Sequence, residues 1–199
     1  MSASQTVVLA STSAYRRGLL ERLQLPFETA SPGVAEDRLP SETPKALAER
    51  LARAKAADVA ARYPDALVIG SDQSAGVGPR ILSKPGNHQR AAEQLAALSG
   101  QSVVFHTGLC LIDSRSGREW LGVVPYTVHM RELDDDEIER YLRLERPYDC
   151  AGSFKSEGLG VSLFERMEGD DPTALVGLPL IRLCAWLREA GVTLPPHST

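Results

Sequence analysis

Two stretches, QSVVFHTGLCLID (101–113) and REWLGVVPYTVHM (118–130), are separated only by SRSG. Both are rich in β-branched and aromatic residues, and the break between them is turn chemistry. Together they read as a long β-hairpin that any fold of this chain has to contain. What surrounds the hairpin sets the class. TVVLA (6–10) is a short apolar run of buried-strand type, followed by a helix from about Ala14 to Leu23 with Leu19, Leu20 and Leu23 on one face. Ser11 or Ser13 is the candidate N-cap. PFETASP reads as a short second strand, and GVAEDRLPSETP as a polar loop. Thr43 caps an Ala-rich helix that has Pro44 in its first turn and runs to about Tyr63. LVIGSD is another buried strand, ending on polar residues.

Downstream, SAGVGPRILSKPGNHQ is loop-rich with room for a hairpin, and Gln89 to Leu98 is a helix stopped by Gly100. DDDEIERYLRLE is a helix with acids in its first turn. A last helix covers about Leu178 to Ala190, closed by Gly191. VGLPL (176–180) reads as its start, packed in the core, and the tail TLPPHST as frayed. Strands and helices interleave without repeat, linker or low-complexity tract. The 199 residues therefore read as one α/β domain, spanning 1–199, or one domain with two lobes.

Charge and cysteine usage narrow the function. With 22 basic and 26 acidic residues the net charge is −4, which argues against a nucleic-acid polymer as partner. Cys110, Cys150 and Cys184 are odd in number and lack CxxC spacing, so neither a disulfide framework nor a structural zinc site is expected. Reduced thiols fit a cytoplasmic protein. The N-terminal stretch lacks a basic n-region, and no apolar run is long enough for a bilayer. His88, His106, His129 and His197 show no ligand spacing and read as structural or surface residues. There is no GxxxxGK[ST], so a P-loop ATPase is disfavoured.

Six places could carry chemistry. The strand–STS–helix junction offers helix N–H groups and the hydroxyls of Ser11 and Ser13 to an anion, with Arg16 and Arg17 behind and Tyr15 between. A capped helix with two solvated cations is the simpler reading of that stretch alone. GSDQ puts Asp72 and Gln73 at the end of a buried strand, where α/β ligands gather, although such residues also end strands in ordinary turns. Lys84 stands before Pro85, which could aim it; Glu36 sits in a polar loop. Lys55 lies in RAKAAD, whose small neighbours permit close approach of another element but equally reflect helix propensity. CAGSFKSEGLG (150–160) surrounds Phe154, Lys155 and Glu157 with glycines that permit tight turns and a close ligand.

In order along the chain, LASTSAYRRGLL, Glu36, Lys55, IGSDQ, Lys84–Pro85, AGSFKSEG and EGDDPTALVGLPL resemble the Maf-like nucleotide pyrophosphatases. The STSxxRR start, Gln73 and CAGSFKSEG look most like the branch that hydrolyses 7-methyl-GTP. The branch acting on dTTP and UTP typically has Thr after the Asp and Gln in the later loop. The resemblance implies an α/β fold with a central mixed, elongated sheet, flanking helices and a nucleotide cleft between two lobes. It implies hydrolysis of a nucleoside triphosphate to the monophosphate and pyrophosphate with a divalent cation, in a cytoplasmic and often dimeric protein. Asp72 matches the family's proton acceptor; Tyr15, Gln73 and Glu157 match its substrate-discriminating positions. Three departures bear on this: Ala35 before Glu36 where many relatives have Asp-Glu, Ser83 in place of the glycine before Lys84, and Tyr15 where a close relative has Trp.

The chemistry is coherent on physical grounds. Breaking an α–β phosphoanhydride calls for positioning and charge neutralisation. Arg16, Arg17, Lys55, Lys84 and Lys155 supply cations, and Glu36 and Asp72 supply hard oxygen ligands for Mg²⁺ or Mn²⁺. Tyr15 or Phe154 could stack on a cationic methylated guanine. A carboxylate at Glu157 suits the guanine N1–H and amino group and is poorly matched to uracil or thymine, whose single N–H is flanked by carbonyls. Gln73 can donate or accept and is permissive by itself. Alternatives of other kinds are the same reaction on dTTP, UTP or ITP, and a non-catalytic nucleotide-binding regulator, since relatives are linked to septum formation.

Overall fold

The computed structural model describes residues 5–196; the expectations placed on residues 1–4 and on His197 and its two successors fall outside them. Seven strands form one mixed sheet. They are β1 (Thr6–Ala10), β2 (Glu28–Ala30), β3 (Ala66–Val77), β4 (Arg80–Leu82), β5 (Ser102–Asp113), β6 (Glu119–Met130) and β7 (Phe164–Glu168). The order is β2-β1-β3-β5-β6-β7, with β4 hairpinned onto β3. β1 runs parallel to β2 and β3; every other pairing is antiparallel. The 101–130 hairpin is β5–β6, paired from Ser102↔His129 to Ile112↔Glu119. Six helices flank the sheet: α1 (Ala14–Glu21), α2 (Pro44–Ala60), α3 (His88–Leu98), α4 (Asp135–Glu145), α5 (Pro172–Val176) and α6 (Leu180–Glu189).

Local chemistry explains the helix starts. Ser13, Thr43, Asn87, Asp134 and Asp171 each accept a backbone N–H of the first turn in their side chain. α2 stops at Ala60 rather than Tyr63, and Ala61 to Tyr63 close it as a turn. One apolar cluster joins α1 and α6 to one face of β1, β3 and β5, with Leu9, Ile69, Leu109 and Trp186 among its members. A second lies beneath α2 (Val8, Val68, Ala52, Ala56), and a third gathers Phe105, Tyr126, Leu142, Phe154 and Leu163 around α3 and α4. Phe105, Phe154 and Leu175 of the third cluster and Val176, packed against the first, line one cleft.

Two expectations change. The IGSD strand does not end at Asp72: β3 continues to Val77 and turns at Gly78, φ +55°, into β4. Polar residues from Ser71 onward hide this extension from hydropathy, but Asp72 to Gly76 remain paired with Gly108 to Val104 of β5. It is β1 that ends here, its last residue Ala10 standing opposite Gly70. Asp72 therefore projects from mid-strand, just past the carboxyl end of the neighbouring parallel strand. Second, VGLPL does not open the last helix. Gly177, φ +116°, closes the separate helix α5, and Pro179 caps α6. Leu178 and Leu180 are buried as expected.

Candidate active site

The sheet brings α2 unusually close. A Cβ on Gly70 would stand against the Ala52 carbonyl and 2.7 Å from the Ala56 amide nitrogen, and one on Gly108 would strike the Ala48 carbonyl. Ala48, Ala52 and Ala56 are fully buried in this seam. Of the alanines in RAKAAD only Ala56 lies in this seam, and the consequence of the close packing is chemical. Lys55, one residue before Ala56, is delivered onto Asp72, two residues after Gly70 on the same face of β3.

Lys55 is 5% exposed, and its Nζ lies 2.6 Å from Asp72 Oδ1 and 2.5 Å from Glu36 Oε1. Burial pushes the Asp72 carboxyl above its ordinary range, while Lys55 and Arg16 pull it back. Glu36, with its side chain 63% exposed, is held below the ordinary range by the Lys55 hydrogen bond, with smaller help from Lys84 and Arg16. Its loop is tied down on both sides. Gly33 N–H donates to Asp58, and Arg50 donates to the Asp37 carbonyl while pairing with Glu42, whose pKa falls to about 2.

The α1 junction separates its two arginines. Arg17 points out and pairs with Glu21 at i+4. Arg16 turns in: its Nε donates to the Gly177 carbonyl at 2.9 Å. Burial lowers the Arg16 pKa against the pull of Asp72 and Glu36, and a guanidinium keeps its charge regardless. Ser13 Oγ accepts from Arg16 N–H, and the buried Ser11 Oγ accepts from Ser13 N–H. Tyr15 is 47% exposed at the mouth.

These groups line a cleft of about 450 Å³, with Glu36, Lys55, Asp72 and Lys84 at one end. Tyr15, Lys155 and Glu157 line it too, and its size suits a small ligand. Every candidate named from sequence lines this cleft except Ser11, which sits behind Ser13, and Arg17, which points out to Glu21. Phe154 contributes from the core side: it is 4% exposed, with its ring edge-on to Phe105 and Phe164. Tyr15 is the aromatic with open surface. Lys84 forms no ion pair among the described residues, and Glu157 accepts only from its neighbour Ser156.

Gln73 is less permissive than its chemistry alone allows. Its Nε2 donates to Thr107 Oγ1 at 3.0 Å, to the Ala174 carbonyl at 2.9 Å and to the Leu175 carbonyl at 3.0 Å. Two carbonyls fix the amide orientation, because they can only accept. Both donor hydrogens are consumed, and Oε1 is what remains for a ligand.

Sequence reasoning missed the α5 turn as part of the site. Leu175, Val176 and Gly177 line the cleft, and the Gly177 carbonyl collects both Arg16 and the buried Ser71 hydroxyl. The glycine between ALV and LP was the available signal for a helix end. Asp149 and Cys150 also line the cleft. Burial pushes the Cys150 thiol up to about 12, so it stays protonated and is a poor nucleophile. All three cysteines are free.

Among the described residues no cluster of three or more His, Cys, Asp or Glu forms a ready metal cage. Nor is any helix long and apolar enough to cross a membrane. The family description that matches residues 6–190 is Maf-like protein. The chain belongs to the Maf family. It is 56% identical over 194 residues to 7-methyl-GTP pyrophosphatase of Alkalilimnicola ehrlichii, covering 98% of each chain. It is 57% identical over 189 residues to the protein of that name from Aromatoleum aromaticum, covering 95% of this chain and 97% of the relative. With the one from Polaromonas sp. it shares 56% over 191 residues, covering 96% of this chain and 87% of the relative. All three relatives are named as pyrophosphatases, hydrolases of a nucleotide phosphoanhydride.

Proposed function

We propose that this chain hydrolyses 7-methyl-GTP to 7-methyl-GMP and pyrophosphate. One observation carries the base assignment: the Gln73 amide has spent its donors on Thr107, Ala174 and Leu175. Together with the Glu157 carboxylate it offers the base acceptors only. Guanine presents an N1–H and an amino group to such a pair, and N7 methylation adds positive charge that a carboxylate and the Tyr15 ring both favour. Uracil and thymine would set carbonyls against those acceptors. The names of the relatives point the same way.

Water attacks the α-phosphorus, the Pα–O bond to the β-phosphate breaks, and pyrophosphate leaves with the bonding electrons. Asp72 Oδ1 is held by Lys55, so Oδ2 is the atom that takes the proton of the attacking water. The raised pKa of Asp72 makes it a better base than an exposed carboxylate. Arg16, Lys55 and Lys84 neutralise charge building on the phosphates, and the N-terminal turn of α1 with Ser13 supplies further donors. Glu36 and Asp72 fit a hard divalent ion, since Mg²⁺ commonly takes one or two carboxylates and completes its shell with substrate phosphates and water. Such an ion, Mg²⁺ or Mn²⁺, would supply positive charge at the phosphate oxygens. A nucleotide substrate and free thiols fit a cytoplasmic enzyme.

The test is pyrophosphate release from 7-methyl-GTP, GTP, UTP, dTTP and ITP, each with Mg²⁺ or Mn²⁺. Metal-dependent release fastest from 7-methyl-GTP is expected. Preference for UTP or dTTP would overturn the base pocket, and silence across the panel would overturn the catalytic reading.

A further inference from the structure

Lys84 and the segment 154–157 form two walls of the same cleft, and a nucleotide that fills it has to meet both at once. Each is preceded by a serine, Ser83 and Ser153, and one side chain outside the cleft touches both serines. Gln94, on α3, donates from Nε2 to the Ser83 carbonyl at 3.2 Å and accepts at Oε1 from the Ser153 hydroxyl at 2.6 Å. The orientation is chemically fixed, because the Ser83 carbonyl cannot donate. Ser153 is fully buried with φ +61°, a conformation costly for a residue with a Cβ. It spends its only hydroxyl proton on Gln94. The same two segments are joined a second time nearby. Gly86 N–H donates to the Tyr148 carbonyl at 2.9 Å, and His88 bridges the Tyr148 hydroxyl and Glu139 at 2.9 and 2.7 Å. α3 thus brackets the two walls, and Gln94 holds the residues immediately before the groups that face the cleft.

We propose that Gln94 is a positioning residue that sets the spacing between Lys84 and the 154–157 segment, and with it the register of triphosphate against base. The proposal rests on the assignment of those walls to phosphate and base given above. A spanning substrate makes that spacing catalytic, because misplacement by a fraction of the attack distance costs rate steeply. Ser83 serves this link through its backbone carbonyl, so a serine in place of glycine leaves it intact.

Two conservative variants separate the arms. Gln94→Glu keeps an acceptor for Ser153 but cannot donate to Ser83. Ser153→Gly removes the hydroxyl while tolerating the positive φ. Gln94→Glu is expected to lower kcat about tenfold on 7-methyl-GTP and UTP alike, with KM changed by less than about threefold. Ser153→Gly is expected to raise KM for 7-methyl-GTP and shrink its advantage over UTP, with kcat spared. Hydrogen exchange of the ligand-free proteins should speed up at 84–87 in the first variant and at 154–157 in the second. Wild-type kcat in Gln94→Glu would overturn the proposal. So would equal losses in both variants that merely follow melting temperature. If the wild-type protein releases no pyrophosphate from either nucleotide, the functional reading falls. Exchange then decides the bracket: unchanged protection at 84–87 overturns it and faster exchange there supports it.

Discussion

Replacing Lys55 by Met removes the ammonium that pairs directly with both Asp72 and Glu36. Lys55 Nζ stands 2.6 Å from Asp72 Oδ1 in a setting 5% exposed. At an effective dielectric near 20 the gross attraction at that distance is about 6 kcal/mol, most of it offset by desolvation of both ions. Taking away one partner leaves the other buried and uncompensated, which costs about 3–5 kcal/mol. Glu36 adds at most about 1 kcal/mol, since its side chain is largely exposed. For a chain of this size the sum corresponds to a melting temperature lower by roughly 10 °C. The pH dependence identifies the cause. Asp72 already has a folded pKa above its unfolded value, so its burden on the folded state is absent below the unfolded pKa and grows as pH rises through the folded one. Without Lys55 that pKa moves further up and the burden becomes larger. Glu36 is shifted the other way: its stabilising contribution is present above its unfolded pKa and is lost as pH falls through the lowered one, and in the variant it shrinks to the weaker pull of Lys84 and Arg16. The Glu36 loss is nearly the same at pH 5 and pH 8, so the Asp72 effect is what makes the deficit larger at pH 8. Thermal melts of Lys55→Met at the two pH values, beside Lys55→Met/Asp72→Asn, check this. The double variant should regain most of the loss, because neither member of the Lys55–Asp72 pair is left as an unpaired charge. An equal deficit at both pH values, or a double variant no more stable than the single, would refute the reasoning.

Asp72→Asn should lower pyrophosphate release from 7-methyl-GTP by at least about a hundredfold with circular dichroism unchanged; near-normal turnover would remove Asp72 as proton acceptor. In the wild-type enzyme kcat/KM should rise with pH through the raised Asp72 value, and a pH–rate profile flat from pH 4 upward would contradict that role. Glu157→Gln should cost 7-methyl-GTP about tenfold more in kcat/KM than UTP, because only the methylated guanine exploits the carboxylate charge; equal losses would sink the base-reading role. Gly70→Ala forces a methyl into the α2 backbone and should destabilise by about 1–3 kcal/mol in denaturant melts while also displacing Lys55 and lowering activity. A stable, fully active Gly70→Ala would show that the close seam is not what delivers Lys55.

Much of this was legible along the chain because the signals are local. The β5–β6 hairpin follows from strand composition and SRSG, the caps at Ser13 and Thr43 from side chains that reach their own first turn. The ordered motifs from LASTSAYRRGLL to EGDDPTALVGLPL carried the family, and most of their polar residues do line one cleft. Other features depend on partners far away in sequence. Nothing in IGSDQSAGV says that β3 continues past Asp72, because that extension is held by pairing with β5 rather than by hydropathy. Arg16 and Arg17 are equivalent as letters, and only the Gly177 carbonyl draws one inward. Gln73 could donate or accept until α5 occupied its donors. Phe154 reads as a stacking ring until Phe105 and Phe164 enclose it. The sequence by itself determined the element types, the family and the pool of charged groups, since these rest on propensity, periodicity and residue chemistry. Tertiary structure alone decided which charges meet, which donors are spent and which ring stays open, because burial and hydrogen-bond saturation are properties of neighbours that the chain order does not contain.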